Sequence, residues 1–189
     1  MTESGVPPVI RRATAQDYLL LSELGAETFS EAFRAHNTPE DMQLYLARSF
    51  GPDIQAAELA DPSTIFLIAE VGSEPVGYAR LREGDSPAAI SASRPIEIVR
   101  FYARKRWIGR RVGAALMREC LSETHARGCD VIWLDVWERN ERAIAFYQKW
   151  GFEEVGTQPF RLGNDVQKDL LMARPVSLRA AARREGTAA

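Results

Sequence analysis

The stretch RWIGRRVGAAL, residues 106–116, decides how this chain is read. Gly109 and Gly113 bracket two arginines, and an apolar, alanine-rich segment follows at once. Such a turn opening a helix has a use beyond punctuation. The first turn carries up to four backbone N–H groups without intrahelical partners, and the helix dipole adds positive potential there. Glycine ahead of it lets a ligand approach the backbone, and phosphate is the usual occupant. The stretch therefore reads as a candidate pyrophosphate cradle, with Arg110 and Arg111 available to add charge. It is not the dinucleotide pattern G-x-G-x-x-G, and it lacks the Lys and Ser/Thr that close a Walker motif. Glycine turns before helices are common, so the surrounding sequence has to decide.

Working outward, IEIVRFYA (96–103) is a strand pattern, and the segment 112–128 is a helix with Val112, Leu116 and Cys120 four apart and Gly128 as its stop. DVIWLDVW is a further strand. ERAIAFYQKW is a short helix capped by Asn140 and ended by Gly151, and FEEVGTQPFRL and KDLLMARPV supply two last strands. Upstream, TIFLIAEV and PVGYARLRE form a hairpin around GSEP, followed by a loop over 84–95. Before it come a short strand at 9–12, a helical pattern over 13–36 and a helical piece around DIQAAELA. Between those two helical stretches lies a helix opened by Thr38 as N-cap, with Pro39 at the first position. Strands and helices in this order predict an α/β (α+β) fold with a mixed sheet and helices packed on it. One domain over 1–175 is expected, with 176–189 a flexible basic tail.

Composition narrows the function. With 189 residues, 46% hydrophobic and 26% charged, the chain has enough apolar sequence for one sizeable core. A net charge of −2 forces no broad basic surface, so no nucleic-acid partner is expected. The exception to weigh is RKRWIGRR (104–111), a short basic run coincident with the cradle. Cys120, Cys129, His36 and His125 do not assemble a metal-ligand cluster, so no metal is expected. The start, MTESGVPPVI, lacks a signal peptide's basic and apolar regions, and no run reaches bilayer-spanning length. A cytoplasmic protein without a membrane partner is the expectation.

EIVRFYARKRWIGRRVGAAL together with NERAIAFYQKWGF (140–152) resembles the GNAT superfamily of acetyl-CoA-dependent N-acetyltransferases. That family sets a strand, a cradle R/Q-x-x-G-x-G/A and a helix in this order, then a strand and N-x-x-A-x-x-x-Y-x-x-x-G-F. Ile108 stands at the family's Gln or Arg, and Arg111 at its middle glycine. Over nearly the whole chain, ETFSEAF, TPEDMQLYL, VWERNERAIAFYQKWGF and PFRLGNDVQKDLLM look like the PaiA-type spermidine/spermine N-acetyltransferases.

The resemblance implies a GNAT fold, a mostly antiparallel sheet splayed at the cofactor site with helices on both faces. It implies acetyl-CoA as co-substrate and a small amine as acceptor, a polyamine by the PaiA likeness. Phe101, Tyr102 and Ala103 would pair their backbone with the pantetheine arm. Gly109, Arg110, Arg111, Val112, Gly113 and Ala114 would cradle the pyrophosphate. Asn140 would hold the cofactor arm, with Arg142 and Lys149 outside it, although Asn140 also reads as a plain N-cap. Tyr147 matches the tyrosine that protonates the departing thiolate, against a core role on the stripe Ala143, Tyr147, Gly151. Glu97 is the first candidate base and Asp135 its rival. A base matters because an amine of pKa about 10.4 costs roughly 4–5 kcal/mol to deprotonate at neutral pH. Glu27, Glu31, Glu40 and Asp41 could offer carboxylates to a polyamine, or be a solvated helix face. Peptide acceptors and a non-catalytic acetyl-CoA sensor stay open as alternatives, and a homodimer through C-terminal edge strands is expected from the resemblance.

Overall fold

Apolar residues at both parities along TIFLIAEV make the strand β2 (Thr64–Val71) buried on both faces, and this sets the layering. Ile65, Leu67 and Ala69 point to one side, and Phe66 and Ile68 to the other, where they meet Leu21 and Leu24. In the computed structural model, which describes residues 6–176, β2 pairs with β1 (Val9–Arg12) and with β3 (Glu74–Glu83). The sheet continues through β4 (Pro95–Ala103) and β5 (Val131–Trp137), then β7 (Asp165–Pro175) and finally β6 (Glu153–Leu162). Every pairing is antiparallel except β4 with β5.

On one face lie α1 (Tyr18–Phe33), α2 (Pro39–Phe50) and α3 (Pro52–Ala60). On the other lie α4 (Val112–Ala126) and α5 (Glu141–Lys149), whose Leu116, Cys120 and Tyr147 join the main core. Thr38 caps α2, its hydroxyl accepting from the Asp41 N–H at 3.2 Å, and Pro39 fills the first helical position. None of the described helices is long and apolar enough to cross a membrane.

Two boundaries differ from expectation. The helical pattern over 13–36 resolves into α1 flanked by 3-10 turns at Ala15–Asp17 and Arg34–His36. The last strand starts at Asp165 rather than Lys168, because Gly163 (φ 60°) makes the β6–β7 turn tight enough for pairing to begin at once. The basic tail from 177 onward lies outside the described residues.

The feature that makes a site is a split in the sheet. Beside β5, β4 pairs only over Pro95–Glu97, opposite Val131–Trp133. On its other side β4 stays with β3, but the register jumps: Leu81 faces Ile98 and Arg80 faces Arg100, so Val99 has no partner. A bulge bends the strand that carries it. Here it swings residues 98–103 away from β5, while β5 remains bound to β7 along its whole length. The bent strand is braced from beneath. Arg100 donates to Glu58 at 2.6 Å and to the Ser49 carbonyl at 2.9 Å, and Glu58 also holds Arg80 at 2.5 Å.

Candidate active site

The split opens a cavity of about 770 Å³ that runs from the start of α4 to the inner faces of α1, α2 and β7. Its two ends are built differently.

The α4 end is built from backbone. Gly109 has φ 80° and Arg111 φ 68°, both left-handed. Arg111 is the single non-glycine with positive φ among the described residues. This explains why a glycine belongs there: an L side chain in that conformation costs roughly 1–2 kcal/mol. The turn delivers the first-turn amides of Val112, Gly113 and Ala114, which have no helical carbonyl to bind. Gly109, Arg111, Gly113 and Ala114 line the cavity. A Cβ on Gly113 would rest against the Phe146 ring at 3.4 Å, an ordinary contact distance. Arg110 lies over the Trp107 ring at 5.4 Å and Val112 buries its side chain in the core, so neither side chain lines the cavity.

The middle is the free edge of β4. Residues 98–103 line the cavity with no strand beside them on the β5 side, among the described residues. Such an edge accepts an extended chain through its backbone groups. Phe101 and Ala103 pack toward α4 and α5, whereas Tyr102 faces α1 and touches Phe29 and Phe33. Asn140 caps α5, its Oδ1 accepting from the Ala143 N–H at 3.3 Å, and lines the cavity with Arg142 and Lys149. The two readings of Asn140 are therefore compatible. Tyr147 lies in the core and lines the cavity at once, its ring 6.1 Å from Phe101 and 5.7 Å from Phe152. Burial, followed by neighbouring Cys120, pushes its hydroxyl above the ordinary value, so it keeps its proton until a strong acceptor appears.

The far end is built from side chains. Phe29, Phe33, Tyr45, Trp137 and Phe160 wall it, and Asp135 and Asp169 bring carboxylates to it. Asp135 accepts from Gln158 at 2.8 Å, and burial raises its pKa against that bond. Asp169 is carried on β7 opposite Trp137. Burial, then the charges of Asp135 and Glu138, raise its pKa to about 7. Sequence motifs do not single out Asp169, although a weaker signal for it exists. In KDLLMA it shares an inward stripe with Leu171 and Ala173, where a lone charge is out of place.

The other expected carboxylates go elsewhere. Glu97 is buried on the α3 side of β4, bound to Arg82 at 2.5 Å, and is not among the cavity-lining residues. Burial raises its pKa and Arg82 opposes the rise. Glu27 pairs with Arg104 at 2.9 Å, Asp41 accepts the Asn164 N–H at 2.7 Å, and Glu40 is exposed. Of that group Glu31 alone lines the cavity, and it also accepts the Lys105 N–H at 2.7 Å. Within the basic run 104–111, Arg104 and Arg106 both reach Glu74.

A split sheet with a free strand edge leading to a helix N-terminus defines a class. The chain belongs to the acetyltransferase (GNAT) family, whose sequence pattern matches residues 25–152. It is an acetyl-CoA-dependent N-acetyltransferase, and the cradle amides and β4 edge fit that co-substrate. An uncharacterised N-acetyltransferase of Lactobacillus delbrueckii subsp. lactis is 33% identical over 149 residues, 79% of this chain and 86% of that one. The N-alpha-acetyltransferase RimI of Mycobacterium tuberculosis is 33% identical over 135 residues, 70% of this chain and 79% of its own. In structure the chain is similar to the PaiA N-acetyltransferase of Thermoplasma acidophilum in complex with coenzyme A. That match has a TM-score of 0.71 at 19% identity, over 89% of this chain and 98% of the other.

Proposed function

We propose that the chain moves the acetyl group of acetyl-CoA directly to a primary amine, a small polyamine such as spermidine or spermine, within one ternary complex. The observation that carries this reading is the polarity of the cavity: first-turn amides of a helix at one end, and at the other aromatic walls with one buried and one half-buried carboxylate. Aromatic faces and carboxylates both favour a cation, which a protonated amine is. Tyr147 lies along the same cavity and supplies the proton to the departing thiolate. No covalent intermediate is needed, since Cys120 is buried in the core with its thiol raised by desolvation. Of the two carboxylates first considered as base, Asp135 lines the cavity, whereas Glu97 does not and is engaged by Arg82. The likeness to PaiA supports the polyamine. A homodimer pairing through β6, the outer strand at one end of the sheet, and a cytoplasmic setting complete this reading.

A second reading, acetylation of a peptide N-terminus, is supported by the similarity to RimI. Thiol release from acetyl-CoA, measured with spermidine, spermine, lysine and an alanine-led peptide, decides between them. Polyamine turnover supports the first reading. A peptide winning by about 10-fold or more in kcat/KM moves the second ahead. Acetyl-CoA binding with no amine acetylated favours a sensor.

A further inference from the structure

Asp169 has a feature that none of its neighbours shares. It is 6% exposed and lines the cavity, yet its Oδ1 has no hydrogen-bond partner among the described residues. A buried carboxylate oxygen left this way is costly unless a partner completes it. The groups around it do not neutralise it. Asp135 faces it from β5 and Glu138 from just beyond β5, both acidic. Tyr45 faces the pair from α2, its phenol held protonated by burial. Gln158 stands opposite Asp169 on β6 but gives its amide to Asp135. His36 packs on Trp137, 5.2 Å between rings, and Lys168 turns to Glu138 at 2.5 Å. The end of the cavity thus holds two carboxyl groups, with Asp169 Oδ1 lacking a hydrogen-bond partner among the described residues, framed by the rings of Tyr45, Trp137 and Phe160.

We propose that Asp169 is the carboxylate that docks the acceptor's ammonium and takes its proton, with Asp135 held by Gln158 as the fixed anion beside it. This rests on the amine-acetyltransferase reading and deepens it.

The ammonium gives one proton to Asp169 and becomes the free amine. The nitrogen lone pair forms a C–N bond to the thioester carbonyl carbon, and the C–S bond then breaks. The leaving sulfur takes the Tyr147 proton, and the nitrogen's surplus proton restores the tyrosine. Asp169 releases its proton to solvent. One proton is lost per acetyl transferred, and no oxidant or metal takes part. A carboxyl near neutrality is matched to this task, since it can both receive and release the proton at working pH.

The test reads the carboxyl itself as well as the rate. In protein labelled at the aspartate carboxyl carbon, the Asp169 resonance is assigned by its loss in Asp169→Asn. It is expected to titrate near pH 7. With CoA present, added spermidine or alanine-led peptide should lower that midpoint by roughly one unit or more, because a bound cation favours the carboxylate. Asp169→Asn should lower kcat/KM for the amine by about 100-fold or more while acetyl-CoA affinity stays within about 2-fold, which also reports an intact fold. Asp169→Glu should recover part of the rate. A midpoint unmoved by either amine, or a variant within about 3-fold of wild type, overturns the assignment. Normal amine turnover with an unmoved midpoint sinks this proposal alone. A midpoint that moves without any turnover upholds the docking site and sinks the reaction reading instead.

Discussion

The two ends of the cavity recognise by different means, and the contrast explains what each tolerates. At the α4 end the groups on offer are the backbone amides of the first helical turn, so side chains there can change while the amides stay. Ile108 and Arg111 are such changes. At the far end, α1, α2, β5, β6 and β7 each send one or two side chains to a common point. Backbone recognition is local in sequence, and side-chain recognition is a product of the whole fold.

The largest test of this contrast is Glu58→Ala. It strands Arg80 and Arg100, both buried, beneath the acceptor end, and loss of about 3–5 kcal/mol is expected in chemical denaturation. Next is Tyr147→Phe, which should cost about 100-fold in kcat, or about 2.7 kcal/mol of barrier, with acetyl-CoA affinity preserved. If affinity falls equally, the tyrosine belongs to the cradle end and the contrast weakens.

Asp169→Asn gives a stability effect with a definite sign. The native carboxyl is raised to about 7 by burial and by two acidic neighbours, whereas an unfolded aspartate titrates near 3.9. The unfolded chain therefore ionises first, and the wild type loses stability as pH rises from about 4 to about 7, then stays at the lower level. The asparagine variant lacks that loss. It should be the more stable protein by roughly 2 kcal/mol at pH about 8, an advantage that fades toward pH about 4 in thermal melts. The smallest effect is expected of Arg111→Gly. Relief of the left-handed backbone, less the extra freedom of an unfolded glycine, should stabilise by about 0.5–1 kcal/mol. Acetyl-CoA affinity should stay within about 3-fold if amides rather than the guanidinium hold the phosphate.

The same contrast governs what the sequence could reveal. The strands, the caps at Thr38 and Asn140 and the start of α4 are set by spacing within a few residues, and the structure has them where the pattern puts them. The acceptor end was not legible. Glu27 and Asp41 look available on a helix face, but Arg104 and Asn164, which occupy them, are distant in sequence. Glu97 is on the predicted strand, yet Arg82, opposite it on β3 and distant in sequence, binds its carboxylate. Asp169 is hidden because KDLLMARPV reads as one apolar run, and only the pairing with β5 fixes which parity faces inward.

The split between β4 and β5 also bears on how long the protein survives. Residues 98–103 form a seam left unsewn, flanked by a complete half-sheet on either side. A ligand that closes such a seam adds RT ln(1 + [L]/Kd) to folding, about 2.7 kcal/mol at a hundredfold excess over Kd. Acetyl-CoA bound along this edge would be a structural member as well as a reagent. A cell short of it would hold a looser, more readily degraded population of this enzyme, so supply of the acetyl donor would set the amount of catalyst along with its rate.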